Sequence, residues 1–137
     1  MPFEEVRYTN FDHLIIPKDY AEASGCGEKH WLYDTAAKEI VGLFKYPKKN
    51  TYEHIAEHMA SSLGNYIGIP CAKIDLGTYY NRQGCLSYLV YDKKSHPELE
   101  LIEGVNLLKI QYPNYDENRL IDISTGERYS RLFSRFK

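Results

Sequence analysis

The sequence contains no apolar run near the roughly 18 residues that a membrane-spanning helix requires. Its acidic start, Met1, Pro2, Phe3, Glu4 and Glu5, is not a secretory signal. A soluble, cytoplasmic chain with no membrane partner is expected. Cysteine is scarce: Cys26, Cys71 and Cys85 are an odd number at wide spacings, so neither a disulfide framework nor a four-cysteine zinc site can be assembled, and reduced thiols are expected. Neither charge dominates, because 17 Lys and Arg against 19 Asp and Glu leave a formal net charge of -2. With the signs interspersed there is no broad basic surface, which argues against nucleic acid as the main partner. Internal repeats and low-complexity segments are also missing.

What is present is enough for one domain or a piece of one. A chain of 137 residues can bury about two-thirds of its unfolded surface. Its 13 tyrosines suit a strand-rich fold with half-buried faces.

The organising stretch runs from Glu39 to Pro70. Ile40, Val41, Gly42, Leu43 and Phe44 form a short, partly β-branched apolar run ending on Lys45, which reads as a buried strand. After the turn residues Tyr46 to Asn50, Thr51 can cap a helix that begins with Glu53 and His54. Ile55, Met59, Leu63 and Tyr66 recur at helical spacing, and Gly68 with Pro70 ends the helix near Ile67. Glu57 lies nearly opposite that apolar stripe, on a face shared with Glu53, Ala60, Ser61 and Gly64. A strand lysine followed within a dozen residues by a helix glutamate is the arrangement with which protein kinases hold ATP, the glutamate fixing a lysine that binds the α and β phosphates. The same spacing also suits an ordinary surface ion pair, which contributes only about 0 to 1 kcal/mol. Glu53, one turn from Glu57, is the alternative partner for Lys45.

Upstream, His13 to Ile16 is a short strand candidate stopped by Pro17, and His30 to Tyr33 is another. Between them lies Gly25-Cys26-Gly27, followed by Lys29. Two glycines one residue apart before a strand let backbone N–H groups approach a phosphate, and a plain turn accounts for them equally well. Downstream, Cys71 to Tyr80 and Cys85 to Tyr91 read as strands joined by a hairpin turn at Asn81 to Gly84. Asp92 to Pro97 is a polar connector. Gly104 to Ile110 suits a short helix, Pro113 to Asp116 a turn, and Tyr129 to Phe136 a last amphipathic turn or two. The expected fold class is α+β, an antiparallel sheet of about five strands with one main covering helix, in a single domain over 1–137.

Taken together, LFKYP, EHIAEHMASSLGNYIGIPCAKIDLG and GCLSYLVYD resemble the amino-terminal lobe of HipA-like serine/threonine kinases, including the CtkA-type members, over roughly residues 23 to 112. The resemblance implies ATP as ligand, with Lys45 as the phosphate lysine and Glu57 as its partner. It implies Gly25 and Gly27, with Lys29 beside them, as the covering loop, and Leu89, Val90 and Tyr91 as the approach to the adenine hinge. It also implies a second lobe carrying the catalytic aspartate and the magnesium ligands. No aspartate here stands in an H-R-D or D-F-G context, so the chain alone is expected to be inactive. Residues 113–137 are read as the start of that lobe or as a terminal tail. Asn118 and Asp122 are the only late pair able to imitate metal ligands, and solvated loop residues explain them as well. The other reading is a non-catalytic interaction domain, or a toxin–antitoxin partner domain, that keeps the lobe's shape.

One motif competes for the same helix. His54-Ile55-Ala56-Glu57-His58 spells H-x-x-E-H, the inverted zincin signature. A metallopeptidase also requires a third ligand and a cleft that the remaining chain has little room to build. A redox role for Cys26 would require nearby lysines to lower its pKa, and inert thiols are commoner.

Overall fold

In a computed structural model of the chain, the structure describes residues 6–20, 23 and 27–115. Contacts divide the chain into two compact units, Met1–Leu99 and Glu100–Lys137. The boundary lies just beyond the polar connector. In the second unit the described residues hold one helix, α2 (Gly104–Gln111), where the sequence leads one to expect it. The proposed turn or two at Tyr129 to Phe136 lies outside the described residues, as do Asn118 and Asp122.

The first unit is a five-stranded sheet with one helix, an α+β arrangement. Its strands are β1 (Thr9–Asn10), β2 (Lys29–Asp34), β3 (Glu39–Lys45), β4 (Ile74–Tyr79) and β5 (Arg82–Tyr88), in the order β1-β4-β5-β3-β2. The helix α1 (Glu53–Tyr66) connects β3 to β4. The sheet is mixed, because β1 runs parallel to β4 while the other neighbours are antiparallel. The wholly antiparallel expectation fails at this edge, since a two-residue strand is too short to leave a period-2 signal. His13 to Ile16 contributes only an isolated bridge between Ile15 and Tyr33. With β1 on one edge and Ile15 on the other, the amino-terminal segment crosses the back of the sheet.

That crossing builds the core. Phe11 and Leu14 pack with Leu32, Phe44, Tyr46, Tyr79 and Leu86, and Phe44 meets Phe11, Tyr46 and Tyr79 in edge or tilted ring contacts. Burying each such side chain contributes roughly 1.5–3 kcal/mol, so this face carries most of the hydrophobic stabilisation. Phe44 and Leu86 are register partners; Lys45 and its neighbour Cys85 therefore point to the opposite face.

The hairpin between β4 and β5 turns at Tyr80 and Asn81, not at Asn81 to Gly84. Both residues have positive φ, 46° and 61°, the pattern of a two-residue type I′ turn. Left-handed backbone is costly for tyrosine. Tyr80 is held there by its N–H donating to Asp12 Oδ1 at 2.7 Å and by ring contact with Tyr79. Gly84 is consequently a strand residue, and a Cβ placed on it would lie 2.3 Å from the Lys45 carbonyl oxygen.

Candidate functional site

The helix α1 begins after Tyr52 with no side-chain cap. Thr51 does not cap it, because its hydroxyl donates to the Lys48 carbonyl at 2.8 Å. The helix ends as read, where Gly68 takes φ +76°. Its orientation is the reverse of what the hydropathy suggests. Met59, Leu63 and Tyr66 are 64%, 60% and 88% exposed, whereas His54, Glu57, His58 and Ser61, spaced i, i+3, i+4 and i+7, face the sheet or its edge. His58 Nδ1 donates to the Ile74 carbonyl at 2.6 Å, and Ser61 Oγ to the Ala72 carbonyl at 2.7 Å. The helix packs on β4 and β5, where open carbonyls and a thiol meet polar side chains better than methyl groups would.

On this face Lys29, Lys45, Cys85 and Leu76 form one cross-strand row. Lys45 Nζ donates to Glu57 Oε2 at 2.8 Å, joining strand to helix. The two side chains are 35% and 36% exposed, open enough for solvent or a ligand to reach them. Cys85 Sγ donates to the same Glu57 oxygen at 4.0 Å. Burial, reinforced by the Glu57 charge and opposed by Lys45, pushes the Cys85 thiol up to about 12; it is a protonated donor and not a nucleophile.

Lys45 and Glu57 line a cavity of about 500 Å³ with Gly27, Lys29, Leu43, Lys48, Glu53, His54 and Cys85 among its walls. Gly27 sits exposed just ahead of β2. Gly25 lies outside the described residues. Glu53 does not compete for Lys45: it accepts from the Lys48 N–H at 3.0 Å, which holds its carboxyl below the usual range, and it pairs with Lys48 Nζ at 3.6 Å.

Leu89 and Tyr91 do not line this cavity. They border a second groove of about 630 Å³ with Tyr20, Tyr33, Ile40, Val41 and Tyr88, while Val90 is 68% exposed. Leu43 and Lys45 of β3 line the first opening and Ile40 and Val41 the second. A register shift opposite Leu32 and Tyr33 breaks the alternation between them, and Val41 packs toward the core cluster.

One element had no sequence signal. Arg82 makes a bidentate pair with Glu28, 2.6 and 2.7 Å, and its guanidinium covers the Tyr46 ring at 3.8 Å. The Glu28 carbonyl also accepts from the Tyr46 N–H at 3.0 Å. This clamp fixes the chain next to Gly27. The hydrogen bond from Arg82 holds the Glu28 carboxyl below its ordinary value.

The H-x-x-E-H motif is spent on packing. His58 is committed to Ile74, and His54 Nε2 meets the Tyr8 hydroxyl at 3.2 Å. Among the described residues no group of three His, Cys, Asp or Glu side chains is gathered as metal ligands would be, and no helix is long and apolar enough to cross a membrane. Compared with protein-family models, with curated proteins and with solved structures, the chain matches none.

Proposed function

We propose that this chain is the ATP-binding, amino-terminal portion of a cytoplasmic HipA-like serine/threonine kinase. The observation that carries the reading is the bond from Lys45 to Glu57, made across a cavity that Gly27 and Lys29 also line. Two lysines on one sheet face, one of them oriented by a carboxylate, suit a polyanion; a nucleotide triphosphate is the form the resemblance names. Lys45 would hold the α and β phosphates, Glu57 would fix Lys45, and the backbone at Gly27 would cover the phosphate chain. The tyrosine-walled groove at Leu89 and Tyr91, further along the same strand, suits the base.

Phosphoryl transfer also needs a group that orients the nucleophile and carboxylates that hold magnesium. The sequence offers no H-R-D or D-F-G context for either, so a second lobe is required and the chain alone should bind ATP weakly. Titration with a non-hydrolysable ATP analogue, followed residue by residue, tests this. A response centred on Lys45 supports it; saturation without any response there removes Lys45 from the site.

A second reading has its own observation. The exposed apolar stripe of α1, Met59, Leu63 and Tyr66, favours a non-catalytic interaction domain, such as a toxin–antitoxin partner. No analogue binding together with association in solution would support it instead.

A further inference from the structure

His54 occupies the first turn of α1, one turn before Glu57, and is 5% exposed. Its Nε2 meets the Tyr8 hydroxyl at 3.2 Å, which ties the helix to the amino-terminal segment. Its Nδ1 is buried and has no hydrogen-bond partner. Leaving such a group unpaired is unfavourable, and a packing role alone would be served by an apolar ring without that cost. His54 also lines the cavity of Lys45 and Glu57.

We infer that His54 is a proton-dependent positioning residue for the Lys45–Glu57 pair. A neutral imidazole needs one acceptor; an imidazolium carries two N–H donors and a charge. The titratable and charged groups around this pocket are Glu28 just ahead of β2, Lys29 of β2, Lys45 of β3, Tyr46 and Lys48 after it, Glu53 and Glu57 from α1 and Cys85 from β5, with Tyr8 of the amino-terminal segment on His54 Nε2. Of the three carboxylates, Glu28 is held by Arg82, and Glu53 is bound to Lys48 and adjoins His54 in sequence, so it projects to another side. Glu57, three residues on, is the neighbour on the same helical face. A proton on His54 therefore draws Glu57 from Lys45 and frees the lysine to swing from its phosphate-binding position.

Burial holds the His54 pKa below its ordinary value of 6.5. The unfolded chain then binds the proton more readily than the folded one, so stability from this group is complete above about pH 6.5 and is lost as pH falls toward the folded value. The effect on ligand affinity rests on the nucleotide reading; the coupling of His54 to Glu57 does not.

The experiment is an NMR titration of the full 137-residue chain from pH 7.5 to 5.0, following the His54 ring and the Glu57 carboxylate carbon, with affinity for a non-hydrolysable ATP analogue measured at both ends. The Glu57 signal is expected to move with the midpoint of His54, and affinity to fall at least fivefold at low pH. His54→Gln should abolish both pH-dependent steps. A Glu57 signal indifferent to the His54 midpoint, or a step that survives in His54→Gln, overturns the inference. If the variant does not fold, the wild-type midpoints alone decide. If no analogue binds at any pH, the nucleotide reading falls, while the Glu57 signal still decides the coupling.

Discussion

Lys29 and Lys45 are register partners across β2 and β3, and of these two lysines Lys45 alone has a described carboxylate, Glu57, within ion-pair distance. Like charges directly opposite each other on one sheet face are destabilising by roughly 0.2–1 kcal/mol. An anion between them would reverse the sign. Lys29→Gln is therefore expected to leave the free protein as stable or slightly more so in urea, and to weaken binding of an ATP analogue about tenfold, the loss of one charge-assisted contact. Reduced stability with unchanged affinity would make Lys29 a structural residue only.

The reversed orientation of α1 has a test of its own. Met59→Glu combined with Leu63→Glu should change stability by no more than about 0.5 kcal/mol per site, as for surface positions. If the stripe were packed on the sheet, each truncation or charge would cost about 2–5 kcal/mol. Thermal unfolding separates the two outcomes cleanly.

Gly84 allows β5 to approach the Lys45 backbone, with only 2.3 Å between a built Cβ and the Lys45 carbonyl oxygen. Gly84→Ala is expected to destabilise by about 1–3 kcal/mol and to lower Tm by several degrees. It should also shift the backbone signals of Lys45. A variant as stable as the wild type would mean that the strands are not so close.

Lys45 and Glu57 were legible in the sequence because both lie on strongly patterned elements that are consecutive in the chain. A strand ending in lysine and a helix with a glutamate one turn in leave few ways to meet. The Arg82–Glu28 clamp was not legible, since its partners are 54 residues apart and neither stands in a motif. Hydropathy revealed that α1 has an apolar stripe but not which side of the helix the sheet would take. That was decided by the carbonyls of Ile74 and Ala72, which bind His58 and Ser61, and by Phe11 and Leu14, which fill the opposite face. Gly84 drew the turn assignment away from Tyr80 and Asn81, because glycine in a strand and glycine in a turn look alike until a neighbouring backbone is known.

Cys85 should be chemically quiet. With its thiol pushed up to about 12 by burial, it stays protonated at pH 8 and should resist iodoacetamide in the folded protein. Exposed Cys71 should react at an ordinary rate in a Cys26→Ser background. Because the folded thiol is the harder one to ionise, its contribution to stability is complete below about pH 9 and declines as pH rises toward 12. Rapid alkylation of Cys85 in the native state would show that the contact with Glu57 is open to solvent.

The nucleotide reading is tested most directly by calorimetric titration of the 137-residue chain and its Lys45→Met variant with a non-hydrolysable ATP analogue, each checked for an unchanged fold by circular dichroism. Weak saturable binding that the substitution removes is the expected result. Equal binding by both proteins would contradict it.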